Sequence, residues 1–208
     1  MNKTHNKSRK FARYAGGIVR RSNLRSLISL FFALFAQASA EVKEHLVYAY
    51  YDVHANPGQS LLSELNASSP FKENEQVFHA FTTWNVRLST RRLKSSNGRC
   101  RLSRSITELT ATIEMPRLIG ASPSQKLYFE KYFSALLSHE LGHYEIGEKA
   151  AIDLERKIDS LPVYSSCRAL EMEKNKIFNQ TLSKYRASEI KYDTTTEHGK
   201  TQGAWLDN

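Results

Sequence analysis

The sequence predicts an α+β fold, in which a small and mainly antiparallel sheet packs against one long helix. Two observations carry that prediction. Segments such as Gln76 to Leu88 alternate, with Val77, Ala80 or Phe81, Trp84, Val86 and Leu88 apolar among polar neighbours, as half-buried strands require. From Pro123 to about Ser160 the period changes, and Leu127, Phe129, Phe133, Leu136, Leu137 and Leu141 recur at helical spacing.

Each element has its own local signal. His45 to His54 is rich in Val and Tyr and ends at Asn56-Pro57-Gly58, which reads as a strand followed by a turn. Gln59 to Leu65 reads as a short helix, ended by Asn66 and the Ser68-Ser69-Pro70 breaker. After the polar turn Ser95 to Gly98, the stretch Cys100 to Met115 reads as one long strand or a hairpin, stopped by Pro116. The long helix opens on Ser122 as cap, Pro123 in the first turn and Gln125 at capping-box spacing. Gly142 and Gly147 interrupt it. Each disfavours helix by about 1 kcal/mol relative to Ala, so both imply close approach of another backbone or a ligand. A second helix is expected from Cys167 to about Arg186, and from Lys191 on the tail is polar and turn-rich.

The first forty residues hold eight Lys or Arg and no acid, then an apolar run from Leu27 to Ala36 and the exit Ala38-Ser39-Ala40. That is the layout of a secretory signal peptide over residues 1–40, cleaved after Ala40. The apolar run is short of the about 20 residues that a membrane-crossing helix needs. Export thus implies a periplasmic or secreted protein with no stable membrane span. Without the leader, 22 basic residues face 21 acids, so the formal charge of +9 falls to +1 and nothing points to nucleic acid. Residues 41–208 have the size of a single domain. Cys100 and Cys167, an even pair in an oxidising compartment, are expected to form a disulfide.

The chemistry lies in Ser138-His139-Glu140-Leu141-Gly142-His143. On a helix, residues i and i+4 stand about 5 to 6 Å apart, so His139 and His143 can close on one zinc ion. Glu140 then sits beside the ion, placed to take a proton from the attacking water and pass it to a leaving amine. A catalytic zinc needs a third protein ligand. The common extension, Gly three and His six residues after His143, is excluded because Ile146 and Lys149 stand there. The tail, Tyr192-Asp193-Thr194-Thr195-Thr196-Glu197-His198-Gly199, offers a hydroxyl, a carboxylate and an imidazole. Asp193 is either a ligand or a group that orients one.

Several features in order resemble a known family: the Tyr-rich strand, Thr82-Thr83-Trp84-Asn85-Val86, a Cys, Met115-Pro116, His-Glu-Leu-Gly-His, a second Cys and Tyr-Asp followed by Thr-x-His-Gly. The chain is similar to the bacterial secreted proteins catalogued as domain of unknown function 922, described as predicted zinc-dependent proteases. The resemblance implies a zincin-like site with one zinc ion at His139 and His143, Glu140 as general acid and base, and His198 favoured as third ligand. The expected reaction is zinc-dependent hydrolysis of an amide bond in a peptide or protein of the cell envelope, with Tyr192 steadying the oxyanion. Two other outcomes fit the same residues: a metal-stabilised envelope binding or assembly module, and an amide hydrolase acting on peptidoglycan.

Overall fold

Residues 42–56 and 58–206 are described in the structure, a computed structural model. The leader over residues 1–40 and cleavage after Ala40 lie outside them. Five strands and three helices follow in the order β1 (Val42–His54), α1 (Leu61–Ser68), β2 (Phe71–Glu73), β3 (Gln76–Phe78), β4 (Phe81–Lys94), β5 (Cys100–Ile119), α2 (Pro123–Asp159) and α3 (Cys167–Thr196). A 3-10 turn, Lys200–Gln202, closes the described chain.

The α+β class holds, and the main sheet is mixed rather than mainly antiparallel. Its order is β1-β5-β4. β4 runs antiparallel to β5, with Phe81 opposite Glu114, whereas β1 runs parallel to it, from Val42 beside Thr107 to His54 beside Ile119. A parallel neighbour requires a long crossover, and the segment carrying α1, the β2-β3 hairpin and β4 supplies one. Alternating apolar residues report which face of a strand is buried. They do not report its direction.

The expected strand from Gln76 to Leu88 is two strands. β3 pairs antiparallel with β2 across a two-residue turn in which Asn74 (φ 47°) and Glu75 (φ 68°) are both left-handed. A turn of that hand fits the twist of the flanking strands. His79 and Ala80 then separate β3 from β4. Pro116 does not stop β5. β4 has already ended at Phe81 opposite Glu114, so at Pro116 the strand has β1 as its sheet neighbour, an edge setting in which proline is tolerated.

One face of the sheet meets α2. Thr107, Leu109, Ala111, Ile113 and Met115 of β5 are buried at every second position, against Leu136, Ala151, Leu154 and Ile158 of α2. Glu155 is buried in that layer, where its carboxylate accepts hydrogen bonds from the hydroxyls of Ser105 (2.6 Å) and Thr107. α2 begins as its signals require, with both halves of the Ser122/Gln125 capping box formed and a proline in the first turn.

α3 runs about ten residues beyond its expected end. The segment from Ala187 to Thr196 has little apolar character, and contacts with α2 rather than propensity hold it helical. The Cys100–Cys167 disulfide, which the even cysteine count predicts, ties the start of β5 to the start of α3. Backbone hydrogen bonds between Cys100 and Tyr164 (2.8 and 2.9 Å) support the junction. With the cysteines separated by 67 positions in sequence, cross-linking stabilises the fold by about 4 kcal/mol in the chain-entropy model. Replacing both cysteines with serine should therefore lower the thermal midpoint by on the order of 10 °C, measured by calorimetry under non-reducing conditions. A midpoint unchanged within 2 °C or so would refute that account. Among the described residues no helix is long and apolar enough to cross a membrane.

Candidate metal centre

His139 and His143 lie on the face of α2 turned to α3, Glu140 reaches Thr82 of β4, and all three are buried. Opposite them α3 presents Glu189 and Asp193, four residues apart and so one above the other. His143 Nε2 lies 2.9 Å from Asp193 Oδ1, and His139 Nε2 lies 3.3 Å from the same oxygen. The two rings meet edge to face with centroids 4.9 Å apart. One ligand atom from each of His139, His143 and Asp193 falls within 4.8 Å of the others. A tetrahedral ion with bonds of 2.0 to 2.2 Å sets its ligands about 3.3 Å apart, so the three converge at close to the required spacing.

The remaining ring nitrogens are held from behind. Gln202 Oε1 accepts from His139 Nδ1 at 2.9 Å, and Glu189 Oε1 stands 3.5 Å from His143 Nδ1. In the metal-free protein Nε2–H of His143 donates to Asp193; with a proton on each Nδ1 instead, both Nε2 lone pairs would be presented to an ion seated between the rings and Asp193, the arrangement that metal-binding histidines use. Glu189 is fixed in turn by Trp84, whose indole N–H donates to it at 2.6 Å. The donor set of two imidazoles and one carboxylate suits zinc. His139, His143 and Asp193 thus form a triad that could hold a metal ion.

Charge follows geometry. Burial alone would lower the His143 imidazole, but the carboxylates of Asp193 and Glu189 outweigh it and hold the group at about 9. Burial would raise Asp193, and hydrogen bonds from both imidazoles hold it well below the usual carboxylate range. Burial pushes Glu140 up, partly offset by the Thr82 hydroxyl and the two imidazoles. Thr82 donates to Glu140 Oε2 at 2.6 Å, while Glu140 itself lines the cleft.

That cleft has a volume of about 730 Å³ and runs between α2, α3, β3 and the C-terminal segment. His79 and Tyr132 line it. The Tyr132 hydroxyl lies 2.7 Å from His79 Nδ1, and His79 Nε2 lies 2.8 Å from Asn66 Oδ1. Burial lowers the His79 imidazole to about 4. The sign is then set: between about 4 and the unfolded value near 6.5, the unfolded chain binds a proton that the folded chain refuses. His79's contribution is intact above pH 6.5 and shrinks as pH falls toward 4. Urea midpoints measured from pH 7 to pH 4 should fall less steeply in His79→Gln than in the wild type. Equal slopes would remove His79 as the cause.

The sequence-predicted residues divide. The structure brings His139 and His143 together with Asp193, and Glu140 stands beside them on α2. His198 stands outside the three-residue cluster, with Nδ1 3.8 Å from Asp193 Oδ1 and its ring against Phe78. Tyr192 is absent from the cleft lining. Its ring stacks on His139 at 5.0 Å and its hydroxyl donates to the His139 carbonyl at 3.2 Å, so it braces the helix. The glycines in α2 explain these contacts. A Cβ on Gly142 would lie 2.1 Å from the Tyr192 hydroxyl oxygen, and one on Gly147 would lie 2.8 Å from Trp84 Cγ. Side chains, rather than a backbone or a ligand, make the close approach.

Sequence reasoning did not identify Thr82, Glu189, Gln202, His79 or Tyr132. Thr82 and Trp84 stand in a run quoted for the family resemblance, and the interior glycines signalled that something packs closely. Glu189 and Gln202 carried no such sign.

Fold and centre together define an α+β protein in which a His-Glu-x-x-His helix and a carboxylate from the next long helix can hold a metal ion. The chain belongs to the DUF922 family, described as bacterial protein of unknown function, whose model matches residues 48–199. That span reaches from β1 to Gly199 and includes every residue of the centre except Gln202. No curated protein and no solved structure matches the chain significantly.

Proposed function

We propose that this protein is a periplasmic or secreted zinc-dependent peptidase that hydrolyses an amide bond in the cell envelope. The observation that carries the reading is the convergence of His139 Nε2, His143 Nε2 and Asp193 Oδ1 beside the buried carboxylate of Glu140, in a cleft open to a substrate. Zinc held by those three residues would lower the pKa of water and polarise a carbonyl group.

The remaining work belongs to the chain. Gln202 and Glu189 hold the imidazoles in the tautomer that presents Nε2. Glu140 is the general base, and the Thr82 hydroxyl fixes one of its oxygens. Burial raises its affinity for protons toward the working range, where a carboxylate both accepts a proton from water and returns it to the leaving nitrogen. The disulfide supports an oxidising compartment, where such bonds persist.

The test uses protein purified without chelators. Elemental analysis should find one zinc per chain, and the loaded protein should cleave a pool of quenched-fluorescent peptides of random sequence or purified peptidoglycan. Chelation should stop cleavage and added zinc restore it. Protein fully loaded with zinc that cleaves neither probe would leave a metal-stabilised binding module in place of an enzyme.

A further inference from the structure

With Tyr192 braced against Gly142, the oxygen of the scissile carbonyl lacks the donor first expected for it. His198 occupies the place from which such a donor would act. It lines the cleft, its side chain is 49% exposed, and Nδ1 stands 3.8 Å from the Asp193 oxygen that completes the ligand cluster. Its ring rests on Phe78 at a centroid distance of 5.1 Å.

The backbone there is unusual. Glu197 (φ 50°) and His198 (φ 51°) are consecutive left-handed residues that are not glycine, followed by Gly199 at φ 86°. Such conformations are disfavoured for residues with a Cβ, and they concentrate where a side chain must be aimed. Here the N–H groups of Glu197 and His198 both donate to the Asp193 carbonyl, which turns the chain back over the end of α3. A right-handed continuation would carry residue 198 onward along the helix axis. The reversal instead sets its ring beside Asp193 and lays Gly199 against His139, where a Cβ would come within 3.0 Å of the ring.

We infer that His198 is a catalytic residue that donates an imidazole N–H hydrogen bond to the scissile carbonyl oxygen as negative charge builds on it. The inference rests on the peptidase reading above. Three protein ligands leave a catalytic ion one open position. A fourth would close it, and His198 stands outside the cluster that would hold the ion. Beside Asp193, the ring is within reach of an oxygen drawn to that end of the cleft, and a donor placed for the charged state contributes more there than for the neutral substrate.

The experiment compares wild type, His198→Ala and His198→Asn in the zinc-loaded exported protein. Asn tolerates left-handed backbone and keeps an N–H donor, so it guards against a simple loss of fold. Three quantities are read: zinc per chain, kcat and KM on a peptide the wild type cleaves, and inhibition by a peptide phosphonate whose anionic oxygen stands in for the reacting one. In His198→Ala, zinc should remain at one per chain and KM within about threefold, while kcat falls by about 10²- to 10³-fold and phosphonate affinity falls in proportion. His198→Asn should keep more of both than His198→Ala. If His198→Ala turns over at the wild-type rate, His198 is not the donor and the peptidase reading stands. Loss of zinc from His198→Ala would make it a ligand, again sparing that reading. A loaded wild type that cleaves neither peptide nor peptidoglycan removes both.

Discussion

Replacing Glu140 with glutamine should lower kcat by about 10²- to 10⁴-fold while leaving zinc content and fold intact. Glutamine has the same shape, and its carbonyl oxygen can still accept the Thr82 hydroxyl that now reaches Glu140 Oε2. What it lacks is a lone pair basic enough to take a proton from water. In the metal-free protein the variant should also be no less stable than the wild type. Burial raises the Glu140 pKa, so ionised Glu140 is destabilising in the folded state at neutral pH, and a neutral side chain removes that penalty. Kinetics, elemental analysis and a thermal melt on one preparation check all three statements. Turnover within tenfold of wild type would remove Glu140 from its role as base.

Removing the Asp193 carboxylate should have the second large effect, on metal rather than on chemistry. Saturating the folded wild type with zinc at 100 times its dissociation constant stabilises it by about 2.7 kcal/mol. For a domain of this size that is about 5 to 10 °C in thermal midpoint. Asp193→Ala should lose most of this increment and most of its zinc at micromolar free metal, because two imidazoles alone make an incomplete set. It also leaves His143 Nε2 without its 2.9 Å partner. The zinc-dependent shift in midpoint is therefore the measurement, not the midpoint itself. His198→Ala should keep the shift. If the outcomes are reversed, the third ligand is His198, as the resemblance of the tail favoured.

That contrast marks the boundary between local and long-range information. The capping box before Pro123, the helical spacing from Leu127 to Leu141 and the four-residue interval between His139 and His143 are set by neighbours within a few turns. The structure repeats them. The pairing of Cys100 with Cys167 was also readable, because two cysteines allow one intramolecular disulfide. Residues 42–119 were less so. Alternation located β1, β4 and β5 but was silent on the parallel pairing of β1, and the Asn74-Glu75 turn lacks the glycine by which such turns are recognised.

Sequence alone determined that this chain carries a His-Glu-x-x-His helix in an α+β protein and that its C-terminal stretch holds the remaining polar groups. Only the tertiary structure chose among those groups. Asp193 lies 50 residues from His143 and Gln202 lies 63 from His139, separations at which no periodicity operates. The choice follows from α3 continuing as far as Thr196, which places Asp193 one helical turn beyond Glu189, and from the left-handed reversal at Glu197 and His198, which takes the next imidazole out of the cluster. Both depend on how α3 packs, through Tyr192, against Gly142. That contact exists once distant parts of the chain have met.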